Sequence, residues 1–293
     1  MIDIFMEHSN PDLLQQEADY KQTIPIVFAT SSKFIPILSV AIQSISEHVD
    51  PNYLYHLYVF HSDRFSIKKA QKIQETIAPN ICISFVNVSD YIKELLYSIP
   101  EHFHFCISIE TYFRLFIPLI LQEYDKVIYL DTDLIVLTDI RHLYNIDIGK
   151  ALIAGVVEFL PEPLDTYVKN NLHLDTSKYI NGGVQILNCN ELNAYNFKEK
   201  FLTYLSCGMT LMLDQDLMNK LCEHRIYYLD DKWNYRWHQG STNLSEIEIP
   251  YILHYLTSIK PWKQPSLLFS KYFYHYASLT LFSNEILKIS KKT

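Results

Sequence analysis

Glycine is scarce in this chain, with 6 among 293 residues, and cysteine is scarcer, with 5. So little glycine, beside 22 tyrosines, excludes a fibrous or disordered chain. The cysteines (Cys82, Cys106, Cys189, Cys207, Cys222) are scattered, odd in number and form no CxxC. They read as reduced core thiols of a cytoplasmic protein rather than a disulfide framework. Positive charge is also short: 25 Lys and Arg against 33 Asp and Glu leave a net charge of −8. That balance argues against nucleic acid as the main partner, and an anionic substrate would need local help from a metal or a few Lys and Arg. No apolar stretch approaches the ~20 residues of a membrane helix. The first residues, MIDIFMEHSN, are acidic and polar, unlike a signal peptide.

What is present is a globular composition, 48% hydrophobic, long enough for one large α/β domain or two modest ones. "IPIVFAT" (24–30) reads as a buried strand and "FIPILSVAIQSISEH" (34–48) as a helix. "YLYHLYVFHS" (53–62) alternates and is aromatic-rich, hence strand, and "SIKKAQKIQETIA" (66–78) is an amphipathic helix with Ser66 as N-cap. "ICISFVNV" (81–88), "KVIYLDTD" (126–133) and "ALIAGVVE" (151–158) are further strands, and "SIETYFRLFIPLIL" (108–121) is a helix. This βαβαβ order predicts a parallel sheet with helices on both faces, whose ligands sit outside the carboxyl ends of the strands. No repeat or linker appears, so the expected division is one catalytic domain over 1–262, with its core from about residue 24, and an appendage over 263–293.

Asp131 and Asp133 lie at one of those carboxyl ends, within "VIYLDTDLIVL" (127–137). As i and i+2 of a strand they would point to one face. Two converging carboxylates repel unless a cation sits between them, and oxygen ligands favour Mg²⁺ or Mn²⁺. Two other readings stand beside this one. One Asp could cap the next turn while the other is solvated. Alternatively, the first could be the nucleophile and the second the acid/base of a haloacid-dehalogenase-type phosphatase, with "IYYLDD" (226–231) as the later acidic pair. The mid-chain position and the missing DxDGT-like turn speak against the phosphatase.

The second half adds Gly182 and Gly183 in "KYINGGVQILNCNEL" (178–192), which suit close backbone approach or positive φ, or merely a turn. Asn181 before them offers an amide donor. "MLDQDLMNKL" (212–221) puts Asp214, Gln215 and Asp216 at a helix start, where acidic residues also suit the helix dipole. "IPYILHYLTSIKPW" (249–262) is a strand ending in His254, with Lys260 beyond it. His254 alone would be a core histidine, and Lys260 alone a solvated cation.

The ordered set "IVFAT", "SIETYFRL", "YLDTDLIV", "YINGGVQILN", "DQDLMN", "LDDKWNY" and "HYLTSIKPW" resembles family-8 glycosyltransferases, from about Ile24 to Trp262. The resemblance implies a GT-A fold, a Rossmann-like and mostly parallel mixed sheet flanked by helices. It also implies a UDP-hexose donor (UDP-glucose or UDP-galactose), Mn²⁺ or Mg²⁺, and transfer with retention to a glycan, glycolipid or glycoprotein such as a bacterial surface glycan. Carried over residue by residue, Asp131, Asp133 and His254 would ligate the metal. Ala29, Thr30, Ser31, Ile107, Thr111, Asp131, Thr132 and Lys260 would contact the nucleotide and diphosphate. Arg114, Asn181, Gly182, Asp214 and Gln215 would line the donor-sugar pocket, and Asp214 and Gln215 are the candidate catalytic residues. Gln215, a neutral amide, is a poor nucleophile, so same-face attack by the acceptor is expected, with Asp214 the residue to suspect for a covalent route. The sequence departs from the family pattern at Ser31, where relatives carry an acid that reads uracil, and at Cys106 and Thr257. A non-catalytic sugar-nucleotide-binding relative is the alternative from another functional class. The tail, 266–293, mixes aromatic residues with late lysines. It is either an interfacial helix touching the inner face of a membrane or a helix packed on the catalytic domain.

Overall fold

The computed structural model describes residues 6–8, 10–98, 109–208, 211–236, 249–256, 260–267 and 269–290. Cys106, Ile107 and Thr257 lie outside the described residues. The strands are β1 (Met6–His8), β2 (Thr23–Ala29), β3 (Leu54–His61), β4 (Ile81–Asn87), β5 (Lys126–Leu130), β6 (Leu134–Val136), β7 (Ile153–Val157), β8 (Ile180–Asn188), β9 (Ile226–Tyr228), β10 (Tyr235–Arg236) and β11 (Ile252–His254). Eight of them form one sheet in the order β1-β4-β3-β2-β5-β8-β7-β9, and β10-β11-β6 form a small second sheet. β4, β3, β2 and β5 run parallel, while β8 is antiparallel to both of its neighbours, β5 and β7. The sheet is therefore mixed, as the GT-A expectation requires.

Layering explains the burial pattern. Every residue of β3 is buried, despite the alternation of its sequence, because helices cover both sides. On one side the helix Ile35–Ser46 is buried along its whole length. On the other, Phe113, Phe116, Phe201 and Leu217 pack against Val27 and Tyr129. Successive strands step outward from β2 to β3 and β4, and the chain then returns to place β5 on the other side of β2. That reversal opens a crevice at the carboxyl ends of β2 and β5, the usual ligand position in such sheets.

Two expected helices are broken. Residues 66–78 form an α-helix only over Ile67–Ala70 and continue as 3₁₀ over Gln71–Thr76. Over so few turns the apolar spacing does not separate a period of 3.0 from 3.6. Ser66 is at the N-cap, but its hydroxyl makes no cap bond. Residues 109–120 are 3₁₀ over Ile109–Phe116 and α over Ile117–Ile120. Pro118 lies in the first turn of that α segment, where a missing N–H is tolerated. Cys82, Cys189 and Cys222 are buried as expected of core thiols, whereas Cys207 is exposed.

The tail forms helices over Ser270–Leu279 and Ser283–Ser290, a small C-terminal helical appendage. Phe273, Tyr276 and Ile286 join the same core as Ile35, Leu38 and Ile42. The Phe273 ring lies 5.3 Å from that of Trp262. Leu279, Leu281 and Leu287 face outward. Among the described residues no helix is long and apolar enough to cross a membrane.

Candidate active site

β5 ends at Leu130, so Asp131 and Asp133 do not share a strand face; they form the bend through which the chain leaves the large sheet for β6 in the small one. Convergence arises differently from the strand-alternation argument. The Asp131 N–H donates to the carbonyl of Gly183 on β8 at 2.8 Å, and the Tyr255 N–H donates to the carbonyl of Asp133 at 3.0 Å. β6 pairs with β11 so that Leu134 faces His254. The register of the small sheet thus carries the imidazole to the carboxylates. One ligand atom from each of Asp131, Asp133 and His254 lies within 4.8 Å of the others.

The electrostatics are dense. Asp131 Oδ1 accepts from Arg114 Nη2 at 3.0 Å and from the Tyr129 hydroxyl at 2.9 Å. His254 Nε2 is 3.2 Å from Asp133 Oδ1 and 3.8 Å from Asp131 Oδ2. Lys260 Nζ is 2.5 Å from Asp133 Oδ2. Burial opposes ionisation of Asp133, but His254 and Lys260 outweigh it and hold that carboxyl well below the ordinary range. Arg114 is buried, with its guanidinium 4.0 Å from the centre of the Tyr129 ring. Two carboxylates beside an imidazole form a donor set suited to a divalent cation.

Two clefts meet here. The first, of about 330 Å³, is lined by Ala29, Thr30 and Ser31 from the end of β2, by Thr111 and Arg114, by Asp131, Thr132 and Asp133, and by Lys260. The second, of about 220 Å³, is lined by Asn181, Gly182, Gly183, Asp214 and Gln215. Thr111, Arg114 and Asp131 belong to both. Every described residue singled out from the sequence as a site residue thus borders one of the two clefts, apart from His254, which is buried behind the bend. Ile107 lies outside the described residues.

The glycine pair lies inside β8 and not in a turn. A Cβ on Gly183 would fall 2.2 Å from His254 Cε1 and 2.9 Å from Asp131 Oδ2, so only glycine lets the strand pass this close. Gly182 donates its N–H to Gln215 Oε1 at 2.8 Å, which fixes that amide in the second cleft.

Asp214 and Asp216 do more than answer a helix dipole. Asp214 Oδ2 is 2.7 Å from Arg114 Nε. Asp216 is buried and accepts from the hydroxyls of Tyr167 and Tyr179 and from the Met212 N–H. Burial pushes the Asp214 carboxyl from 3.8 up to about 6; Arg114 opposes the rise and the Asp131 charge adds to it. Because the folded value is the higher one, the stability that the protonated acid contributes is complete below about pH 4 and lost as pH rises through 6. Asp214→Asn, which cannot ionise, is expected to lose less stability than wild type between acid and neutral pH. Calorimetry of both proteins at the two pH values checks this, and a gap independent of pH would contradict it.

Sequence reasoning assigned nothing to Tyr129, Asn234, Glu158 or Arg236. Tyr129 had a signal: it lies two residues before Asp131 at the strand end. Asn234 stood within the "LDDKWNY" stretch, yet its partner, His254 Nδ1 at 2.9 Å, is 20 residues away. Asp230 and Asp231, the acidic pair that the phosphatase alternative needs, are exposed and outside the cluster. Asp230 instead caps the 3₁₀ turn Asp231–Asn234.

The sequence model described as Glycosyl transferase family 8 matches residues 25–265. Lipopolysaccharide 1,3-galactosyltransferase of Salmonella typhimurium is 23% identical over 274 residues, which cover 86% of this chain and 78% of that protein. Among solved structures, the bifunctional glycosyltransferase WbbM aligns with a TM-score of 0.79 at 22% identity over 93% of this chain; this chain spans about half of WbbM, 52%. The galactosyltransferase LgtC, solved with donor and acceptor sugar analogues, aligns with a TM-score of 0.71 at 22% identity over 88% of this chain and 96% of LgtC. At these identities the structural likeness shows a shared GT-A fold, and the family match removes the phosphatase alternative. Matched over most of its length, the chain belongs to glycosyltransferase family 8.

Proposed function

We propose that the protein is a divalent-metal-dependent, retaining hexosyltransferase that moves glucose or galactose from a UDP-sugar to a glycan, glycolipid or glycoprotein acceptor. The observation that carries this reading is the meeting of Asp131, Asp133 and His254 where the two clefts join. Those three residues would hold Mn²⁺ or Mg²⁺, the imidazole favouring Mn²⁺. Bound there, the cation would neutralise charge on a departing diphosphate.

The remaining roles follow from what the side chains do. Lys260, on a flexible stem, would exchange Asp133 for a phosphate oxygen. Arg114 is held by Asp131, Asp214 and the carbonyl of Gly182, so its charge is fixed before any donor arrives. Ala29, Thr30, Ser31, Thr111 and Thr132 would border the nucleotide. Asn181, Gly182, Asp214 and Gln215 would border the hexose. Gln215 offers only a neutral amide whose oxygen already accepts from Gly182. Asp214 is engaged by Arg114, so neither group is a ready nucleophile. Same-face attack follows, with the departing phosphate accepting the acceptor's proton. We place the work at the cytoplasmic side of a membrane, in keeping with a lipid-linked or surface glycan acceptor and a tail with outward-facing leucines.

The test is a panel of nucleotide sugars scored for hydrolysis with Mn²⁺ and with EDTA. Turnover of UDP-glucose or UDP-galactose only when metal is present is expected. Nucleotide-sugar binding without turnover would favour the non-catalytic relative, and turnover equal in EDTA would overturn the metal reading.

A further inference from the structure

Behind the candidate metal ligands a chain of buried polar groups leads from His254 on β11 through Asn234 to Asn181 on β8 and Glu158 just after β7. His254, Asn234, Asn181 and Glu158 are each at most 7% exposed. His254 Nδ1 is 2.9 Å from Asn234 Oδ1. Asn234 Nδ2 donates to Asn181 Oδ1 at 2.8 Å, and the same oxygen accepts from the Gly183 N–H at 2.9 Å. Asn181 Nδ2 donates to Glu158 Oε2, and Arg236 Nη1 lies 2.8 Å from Glu158 Oε1.

The two ends of this chain cannot be reversed. A backbone N–H only donates, and a carboxylate paired with an arginine only accepts. Flipping the Asn181 amide would aim its NH₂ at the Gly183 N–H and its oxygen at Glu158, two repulsive contacts in a buried place. Asn181 therefore presents oxygen to Asn234, Asn234 must answer with its NH₂, and its own oxygen is left for His254. That oxygen requires a proton on Nδ1.

We infer that Asn234, oriented by Asn181 and Glu158, is a positioning residue that holds a proton on His254 Nδ1, so that Nε2, which faces Asp131 and Asp133, is the nitrogen left to a cation. The inference rests on the metal reading above for its purpose, though not for its geometry. A histidine ligand is set by the bond its other nitrogen makes, and loss of such a partner weakens metal affinity by roughly 10–100-fold.

The experiment has two arms. In the first, ¹⁵N-histidine spectra of the metal-free protein are read for His254, assigned by its loss in His254→Ala. A proton on Nδ1 is expected; a bare Nδ1 overturns the inference whether or not metal binds. In the second, Mn²⁺ affinity is measured by electron paramagnetic resonance for wild type, Asn234→Leu and Asn234→Asp. The relay predicts a 10–100-fold loss for Asn234→Leu and a smaller loss for Asn234→Asp, which still accepts from Nδ1–H although its second oxygen faces Asn181 Oδ1. A side chain that merely fills space would give the reverse order, since leucine packs there and a buried acid does not. Wild-type affinity in Asn234→Leu overturns the positioning role. If Asn234→Leu does not fold, Asn234→Asp and the spectra decide. Should wild type carry the Nδ1 proton yet bind no Mn²⁺, the metal reading falls and the orientation of the ring stands.

Discussion

Asp133→Asn is expected to lower Mn²⁺-dependent donor hydrolysis by at least about 10³-fold while leaving the fold intact. The asparagine keeps the shape of the aspartate but not its charge, and it leaves His254 Nε2 and Lys260 without their shared anion. Asp133 is the better of the two aspartates for this test. Asp131 also carries Arg114 and Tyr129, so its replacement would disturb a buried guanidinium as well. A second effect accompanies the first. The carboxyl of Asp133 is held below its ordinary range, so it contributes stability that is present above the unfolded value near 3.8 and lost as pH falls below it. The variant is therefore expected to be less stable than wild type at neutral pH and to approach it in acid. Steady-state hydrolysis and calorimetry measure the two effects separately. Unchanged turnover would remove the bend from the reaction.

Gly183→Ala should be nearly as severe for a steric reason. The new methyl group would meet the His254 ring at 2.2 Å, and the ring cannot swing away because it is buried and held at Nδ1 by Asn234. Either β8 or the imidazole must shift, at an overpacking cost of about 1–3 kcal/mol, and Mn²⁺ affinity should fall about 10–100-fold. Gly155→Ala is the comparison. Its Cβ meets the Ile180 side chain, 2.7 Å from Cδ1 and 3.3 Å from Cβ, and none of the candidate metal ligands, so stability would change while Mn²⁺ affinity would not. Equal affinities in both variants would show that the close approach at residue 183 has no bearing on the cation.

Much of this arrangement was legible in the residue order. The apolar runs of β2, β3, β4 and β5 announced themselves because parallel strands covered on both faces are hydrophobic almost throughout. Asp131 and Asp133 were visible because charge at the end of such a run is unusual. The local detail was less legible. Neither the 3₁₀ turns at Gln71–Thr76 and Ile109–Phe116 nor the bend at the two aspartates leaves a distinct hydrophobic period. The Asn234 contact was invisible because nothing local ties an asparagine to a histidine 20 positions later.

The sequence alone determined the alternation of strands and helices, the sign of the charge at the end of β5, the glycine at position 183 and the family. These are properties of single residues or of short periodic runs. Only the tertiary structure decided that the aspartates converge through a change of sheet, that β11 delivers His254 to them, and which imidazole nitrogen faces them. Those outcomes depend on strand register and on hydrogen bonds between residues far apart in the chain, and such partners exist only once the sheets have formed.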